Sequence, residues 1–290
     1  METLPENIYK KIHDSKLKST SILLHSDIYL EQALDLSPEE VTRLRRSMLR
    51  REFISARDIP AWPRLTTGCP SIDSVTSGGI PINGLTEIAG PSGVGKTQLC
   101  LQLAITVQLP AGLGKGAIYI CTEDLFPSKR LHQLAACFSD HKVMDNVFVE
   151  HISDYEQLRR CCQIRIPMLL LKRPIGLVVI DSIAGVFRSD SATVDYSQRS
   201  REFSTIVTSL NKLCLQYGIA VVVTNQVGDN SMKGRSEPCL GLAWSNLVTC
   251  RFWISRELEG VRNFEVVFAP DLPNKTAQFV IISSGVKDAG

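Results

Sequence analysis

The stretch GPSGVGKTQLCLQL, residues 90–103, decides the fold. Gly90, Gly95, Lys96 and Thr97 stand at the spacing G-x-x-x-x-G-K-[ST], after a strand-like LTEIA and before a helical run. Glycines let a loop wrap so that successive backbone N–H groups point inward, and the helix that follows turns its positive end to the same point. Pro91, Ser92, Gly93 and Val94 complete the cradle, and Gln98 continues the helix behind it. In such a loop Lys96 reaches β- and γ-phosphates, and the Thr97 hydroxyl ligates Mg2+.

Working outward, short apolar runs alternate with helical patterns: AIYICTE before KRLHQLAACF, NVFVEHI before DYEQLRRCC, LVVIDS before a long segment, then GIAVVVTNQ. LVVID and IAVVVTN are apolar on both alternating faces, as strands are when helices cover both sides of a parallel sheet. The order predicts an α/β core with a mostly parallel central sheet flanked by helices. Between 247 and 287, VTCRFWISRE, NFEVVFAP and QFVIIS alternate in a way that predicts antiparallel edge strands.

Three strands end in polar groups suited to phosphate chemistry. Asp181 follows the apolar LVVI, where a carboxylate is costly unless it meets water or a metal, and with Thr97 it is the expected Mg2+ site. Glu123 closes AIYICTE as a candidate base or water-orienting group, and Asn225 and Gln226 close IAVVVTNQ with amides able to donate to a γ-phosphate oxygen.

Upstream, residues 1–50 read as a small helical domain. Ser37, Pro38 and Glu40 supply an N-cap, a proline at the first helical position and a capping-box partner. The helix they open carries Val41, Leu44 and Met48 on one face and Arg43, Arg45, Arg46, Arg50 and Arg51 elsewhere, a solvated basic face or else a nucleic-acid or partner surface. Residues 51–66, with Pro60 and Pro63, read as a tether, and 67–290 as the core.

Composition narrows the class. With 290 residues, 44% of them hydrophobic and a net charge of +2, the chain is an ordinary globular protein whose nucleic-acid contacts would have to come from local patches. No run approaches the ~18 uncharged apolar residues of a membrane span, and METLPENIYKK lacks an apolar signal core, so nucleus or cytoplasm is expected and membrane contact is not. Nine cysteines without a C-x-x-C spacing argue against a disulfide framework or zinc site and for small buried side chains.

TTGCPSIDSVTSGGIP, GPSGVGKTQLC, YICTEDLFPSKRL, LVVIDSIAGVFRSD and GIAVVVTNQV, in this order, resemble the RecA-type recombinase core in its eukaryotic and archaeal form, over residues 64 to 287. The resemblance implies an ATP-binding protein with Mg2+ as cofactor: Lys96 and Thr97 on phosphates and metal, Glu123 as catalytic glutamate, Asp181 as the acid of the metal site, Gln226 as γ-phosphate sensor and Arg130 stacked on adenine. It also implies DNA-facing loops near 188–201 and 228–240, carrying Arg188, Arg199, Arg201, Lys233 and Arg235, which would meet the phosphates of single-stranded or branched DNA. FISA, with Phe53 and Ala56, is similar to the F-x-x-A segment by which one family member docks on its neighbour, an aromatic anchor on a tether able to add a strand to an edge. Another recombinase paralogue is the partner this implies, and the strand-exchange recombinase a further candidate.

Three departures point to a specialised paralogue rather than a filament former. Trp244 stands where strand-exchange enzymes carry a histidine linking nucleotide state to the second loop. Phe268 and Ala269 replace polar and acidic residues of the family's cap over a neighbour's nucleotide, although Asp271 is near, and the N-terminal domain lacks a Gly-bearing helix-hairpin turn. The expectation is an ATP-binding, weakly hydrolysing mediator of homologous recombination repair that works in a heteromeric complex. The alternative is a DNA-dependent ATPase that itself forms strand-exchange filaments, and a ring helicase or kinase is a third reading without a sequence sign.

Overall fold

In the computed structural model, residues 6–15, 25–48, 55–138, 141–187, 195–230, 235–257 and 260–289 are described. Arg50, Arg51, Phe53, Arg188 and Lys233 lie outside them, as do the side chains of Arg46, Met48 and Arg235. The chain divides into two units, 1–61 and 62–290.

In the first unit the helices are α1 (Glu6–Asp14), α2 (Asp27–Leu34) and α3 (Pro38–Met48). The capping box forms at α3: the Glu40 N–H donates to Ser37 Oγ at 3.2 Å, and the Ser37 N–H donates to Glu40 Oε2 at 2.9 Å. Two of the donors a helix start leaves bare are thereby met. Ile8, Leu30, Leu34, Leu36, Val41 and Leu44 form this unit's own core. Arg45 pairs with Asp27 and donates to the His25 carbonyl, so one of the basic residues fastens α3 to the start of α2.

The second unit opens with β1 (Arg64–Leu65), α4 (Pro70–Val75) and β2 (Ile80–Pro81), the two strands pairing antiparallel. Arg64 and Leu65, at the end of the expected tether, thus pair into this unit. Asp73 holds the turn together, accepting from the Thr67 N–H at 2.8 Å and the Thr67 hydroxyl at 2.7 Å. Gly79, at φ +119°, passes so close to β1 that a Cβ would lie 2.0 Å from the Leu65 carbonyl oxygen, so only glycine fits. The spacing of Thr67, Asp73 and Gly79 within TTGCPSIDSVTSGGIP is therefore a folding device.

Then follow β3 (Leu85–Ala89), α5 (Lys96–Thr106), β4 (Gly116–Cys121), α6 (Ser128–Cys137) and β5 (Val147–His151). After β5 come α7 (Tyr155–Arg160), a π-helical turn over Cys161–Arg165, α8 (Ile166–Leu170) and β6 (Ile175–Asp181). The long segment after β6 leads to α9 (Tyr196–Tyr217) and β7 (Ala220–Asn225). A hairpin, β8 (Val227–Asn230) with β9 (Arg235–Pro238), precedes α10 (Gly241–Ser245). The chain closes with β10 (Cys250–Arg256), β11 (Arg262–Phe268), β12 (Thr276–Ile282) and β13 (Gly285–Asp288).

Among the described residues nine strands form one sheet in the order β13-β12-β11-β10-β3-β7-β6-β4-β5. The pairs from β10 to β5 are parallel and those from β10 to β13 antiparallel. The expected α/β core is present, with one correction: β10, expected as an antiparallel edge strand, pairs antiparallel with β11 but also parallel with β3, and so lies inside the sheet. The physical reason is its burial, since Cys250, Phe252 and Ile254 fill the core on the α5 face while Arg251 is nearly enclosed on the other. Alternation along the strands feeds two cores, one around α5 and α6 and one around α7 to α10.

Helix α5 is buried from Leu99 to Thr106 because it runs beneath the sheet, and Gln102 is fully enclosed. Its amide donates to the Thr67 carbonyl at 2.8 Å and the Val286 carbonyl at 3.1 Å, and accepts from the Val286 N–H at 2.7 Å. One side chain thus ties β13 and the first turn of this unit to the phosphate-loop helix. Cys69, Cys100, Cys121, Cys161, Cys162, Cys214 and Cys250 are buried free thiols, while Cys137 is exposed.

Candidate functional site

The loop 90–95 joins β3 to α5 at the carboxyl edge of the central strands. Gly90 sits against β10, where a Cβ would lie 2.2 Å from the Ile254 carbonyl oxygen. Arg262 of β11 braces the loop from outside, its Nε donating to the Val94 carbonyl at 2.8 Å. The Lys96 ammonium is held inside the loop by the Gly90 and Pro91 carbonyls at 2.7 and 2.8 Å. Burial pushes the Lys96 pKa down, and the nearby Asp181 and Glu123 charges oppose that shift.

Asp181, at the tip of β6, gathers three hydroxyls. Thr97 Oγ1 and the Tyr119 hydroxyl donate to its Oδ2 at 2.8 and 2.6 Å, and Thr224 Oγ1 donates to Oδ1 at 2.6 Å. Burial and the Asp181 charge push the Tyr119 phenol well above its ordinary value, so it stays a donor to the carboxylate. One oxygen layer thus runs from α5 through β4 and β6 to β7. Hard oxygen donors of this kind, a hydroxyl beside a carboxylate, suit a Mg2+ ion that also keeps water ligands.

Glu123, beyond the end of β4, is exposed and accepts from Ser182 Oγ at 2.9 Å and from Gln226 Nε2 at 2.6 Å, both on Oε2. With Ser92, Gly93, Gly95, Lys96, Thr97, Gln98, Asp124, Asp181, Ser182, Thr224 and Gln226, it lines a cleft of about 280 Å3 above the sheet. The structure therefore brings together Lys96, Thr97, Glu123, Asp181 and Gln226 from four different elements.

Arg130, expected to stack on adenine, lies beside the phosphate-loop helix. From α6 its guanidinium donates to Gln98 Oε1 at 2.7 Å and to the Ile282 and Ser283 carbonyls at 2.7 and 2.8 Å. It clamps α5 to the turn between β12 and β13. Arg199, assigned to a DNA-facing loop, donates to the Phe187 carbonyl at 2.8 Å and lies 5.7 Å over the Phe187 ring, while Arg201 is exposed on α9. The segment 228–240 is in part the β8 and β9 ladder.

Two of the three departures have structural counterparts. Trp244 is fully buried and donates from Nε1 to Glu87 Oε1 at 2.7 Å. Phe268 lies under the Arg251 guanidinium at 5.2 Å, and Asp271 pairs with Arg64.

Sequence reasoning passed over Tyr119, Thr224, Ser182, Glu87 and Arg262. A tyrosine inside an aliphatic strand carries a hydroxyl that needs a partner, which is a signal for Tyr119. Period-two alternation would have put Thr224 on the same face as Val222 and hence beside Asp181.

The Rad51 family profile matches residues 62–289. Over 254 residues the chain is 36% identical to the DNA repair protein XRCC3 of Bos taurus, covering 77% of this chain and 74% of the relative. It is 33% identical over 288 residues to the DNA repair protein XRCC3 homolog of Arabidopsis thaliana, covering 79% and 94% of the two. With the DNA repair protein rhp57 of Schizosaccharomyces pombe it shares 30% identity over 277 residues, 77% and 78% of each. By profile, fold and motif order alike, the chain belongs to the Rad51 family, as a RecA-type recombinase paralogue close to XRCC3.

Proposed function

We propose that the chain is an ATP-binding recombinase paralogue that acts in the nucleus, in homologous recombination repair, as one member of a heteromeric complex. The observation that carries this reading is the convergence of Lys96, Thr97 and Asp181 with the Glu123 and Gln226 pair on one cleft. The backbone from Gly90 to Gly95 and Lys96 would hold the β- and γ-phosphates, Thr97 and Asp181 would hold Mg2+, and Gln98 and Arg130 would border the base. When bound, the metal supplies charge neutralisation on the phosphate oxygens. Glu123 would act as the base that orients water, its carboxylate steadied by the hydrogen bond from Gln226. Turnover would be weak, because Glu123 stands exposed beyond the end of β4 rather than enclosed over the phosphates.

A mediator is favoured over a filament former by what surrounds the turn after β11. Phe268 lies beneath Arg251 and Asp271 is paired with Arg64, so the acid nearest a neighbour's nucleotide is committed within its own unit. A partner of the same family would dock through the segment holding Phe53 and Ala56 and through the core. On the receiving side, β5 is a sheet edge among the described residues, beside a groove of about 210 Å3 lined by Ile118, Phe148, Val149, Cys161, Ile166 and Leu169 together with the ion pair of Glu150 and Arg165. Such an edge accepts an added strand with an apolar anchor.

Co-purification of native chain and Phe53→Glu with candidate paralogues tests the docking, and loss of pairing in the variant is expected. Electron microscopy of the chain alone with single-stranded DNA, ATP and Mg2+ tests the rest. Continuous filaments there would replace the mediator reading with the strand-exchange one.

A further inference from the structure

Helices α7 and α8 are joined by the π turn Cys161–Arg165, closed by the Ile166 N–H on the Cys161 carbonyl. A π turn is rare within helices and recurs at functional sites. Here it brings Cys161 and Arg165 to the same residue of β5, Glu150. Arg165 Nη1 lies 2.7 Å from Glu150 Oε1, and the Cys161 thiol donates to Oε2 at 3.3 Å. Arg165 Nη2 donates to the Gln157 carbonyl at 2.9 Å. This polar group stands in the wall of the groove beside β5, between the apolar side chains of Phe148, Ile166 and Leu169.

Neither member of the ion pair is enclosed, the Arg165 and Glu150 side chains being 45% and 32% exposed. A strand added along β5, a sheet edge among the described residues, would cover both. Covering an ion pair strips its water, and an all-apolar strand offers no replacement for it. A guanidinium carries five N–H groups, more than Glu150 and the Gln157 carbonyl engage. The group that can replace the lost water is therefore an acceptor, and for arginine a carboxylate is the strongest one.

The surroundings favour the same sign. Along 154–173 stand Arg159, Arg160, Arg165, Lys172 and Arg173, against Asp154 and Glu156. Both acids are engaged, Asp154 accepting from the Gln157 N–H at 2.9 Å as the cap of α7 and Glu156 pairing with Arg159 at 2.7 Å. The N–H groups of Lys172 and Arg173 both bond the Leu169 carbonyl at 2.9 Å, so these two cations follow the groove wall within one turn. The chain's own F-x-x-A stretch, REFISARD over 51–58, sets Arg51 and Arg57 against Glu52 and Asp58 and brings no net charge to this field.

We propose, on the reading of β5 and its groove as the receiving side, that Arg165 is a specificity determinant of that groove. The occupant is a strand from another member of the family, with an apolar anchor and a flanking carboxylate, in preference to a second copy of this chain. Glu150 holds Arg165 in place while the groove is uncovered, and the incoming acid then shares the guanidinium.

Fluorescence polarisation with the full chain tests this. The neutral probe is a labelled peptide of residues 51–60, REFISARDIP, and the acidic probe is the same peptide with Arg51→Glu and Arg57→Glu. The acidic probe is expected to bind about fivefold tighter at ~50 mM salt, the scale of one well-placed half-exposed ion pair, with the margin shrinking as salt rises. Arg165→Gln in the chain should lose the margin while holding the neutral probe within about twofold of wild type. Glu150→Gln, which leaves the guanidinium to the incoming acid, should widen the margin. Equal affinity of wild type for the two probes overturns the proposal. So does a margin that Glu150→Gln fails to widen, or one lost as fully in Lys172→Gln as in Arg165→Gln, since the attraction would then be diffuse. An acidic probe that also carries Phe53→Glu should not bind. If it binds like its parent, or if neither probe binds wild type, the groove is not the receiving side and the specificity falls with it.

Discussion

Gln226 Nε2 donates to Glu123 Oε2 at 2.6 Å, so the ends of β7 and β4 are joined across the tip of the strand between them, β6. Glu123 owes its orientation to this bond and to Ser182, because it stands beyond its own strand in an exposed stretch. Gln226→Ala should therefore lower ATP turnover by about a hundredfold, the low end of what positioned acid–base groups contribute. Nucleotide affinity, which the loop carries, should stay within about threefold. Single-turnover hydrolysis and titration with a fluorescent ATP analogue separate the two effects.

Lys96 is anchored by two carbonyls of its own loop, so an alanine there removes a buried cation without opening the core. Wild type should gain about 2.7 kcal/mol of stability with ATP and Mg2+ at a hundred times Kd. Lys96→Ala should gain none under the same conditions. Thermal melts with and without nucleotide check this, and equal shifts in both proteins would remove Lys96 from phosphate binding.

Gln102 makes three hydrogen bonds to backbone groups that have no route to water. Leucine has nearly the same volume but leaves those groups bare, so Gln102→Leu should cost about 3 kcal/mol, two or three unmet buried polar groups at about 1 to 3 kcal/mol each. Urea unfolding measures it. A loss confined to the midpoint, with unchanged slope, is expected.

Burial pushes the thiols of Cys121, Cys161, Cys214 and Cys250 up to about 12, from an ordinary 9.0. Their folded values are raised, so the stability linked to them is whole below the unfolded value and is lost as pH climbs from about 9 towards about 12. The unfolding free energy should therefore fall steeply above pH 9 under reducing conditions. Near neutral pH, iodoacetamide should modify the exposed Cys137 well before these four, which peptide mass spectrometry resolves.

Much of the phosphate site is local in sequence and could be read there. The loop from Gly90 to Thr97 is a contiguous pattern, and Asp181 betrays itself as a charge closing an apolar strand. The capping box at Ser37 and Glu40 is equally local and forms as written. What escaped reading depends on distant partners. Glu87, between Thr86 and Ile88, has the look of a solvent-facing residue in an alternating strand. Only Arg251, 164 positions on, makes its burial possible. Arg130, expected on adenine, also donates to the carbonyls of Ile282 and Ser283, which come from the last hairpin of the chain and could not be read beside it. The parallel pairing of β10 was missed because its alternating pattern is equally at home in either strand direction.

The width of the sheet separates two kinds of fault. Acids and amides for phosphate chemistry sit on the inner strands β4, β6 and β7, whereas β5, with its adjoining groove, forms the rim. Damage on the rim should yield a chain that still takes up nucleotide yet is orphaned from its assembly. Damage at the middle should yield one that assembles and is inert, and genetic lesions in this protein should sort into those two kinds.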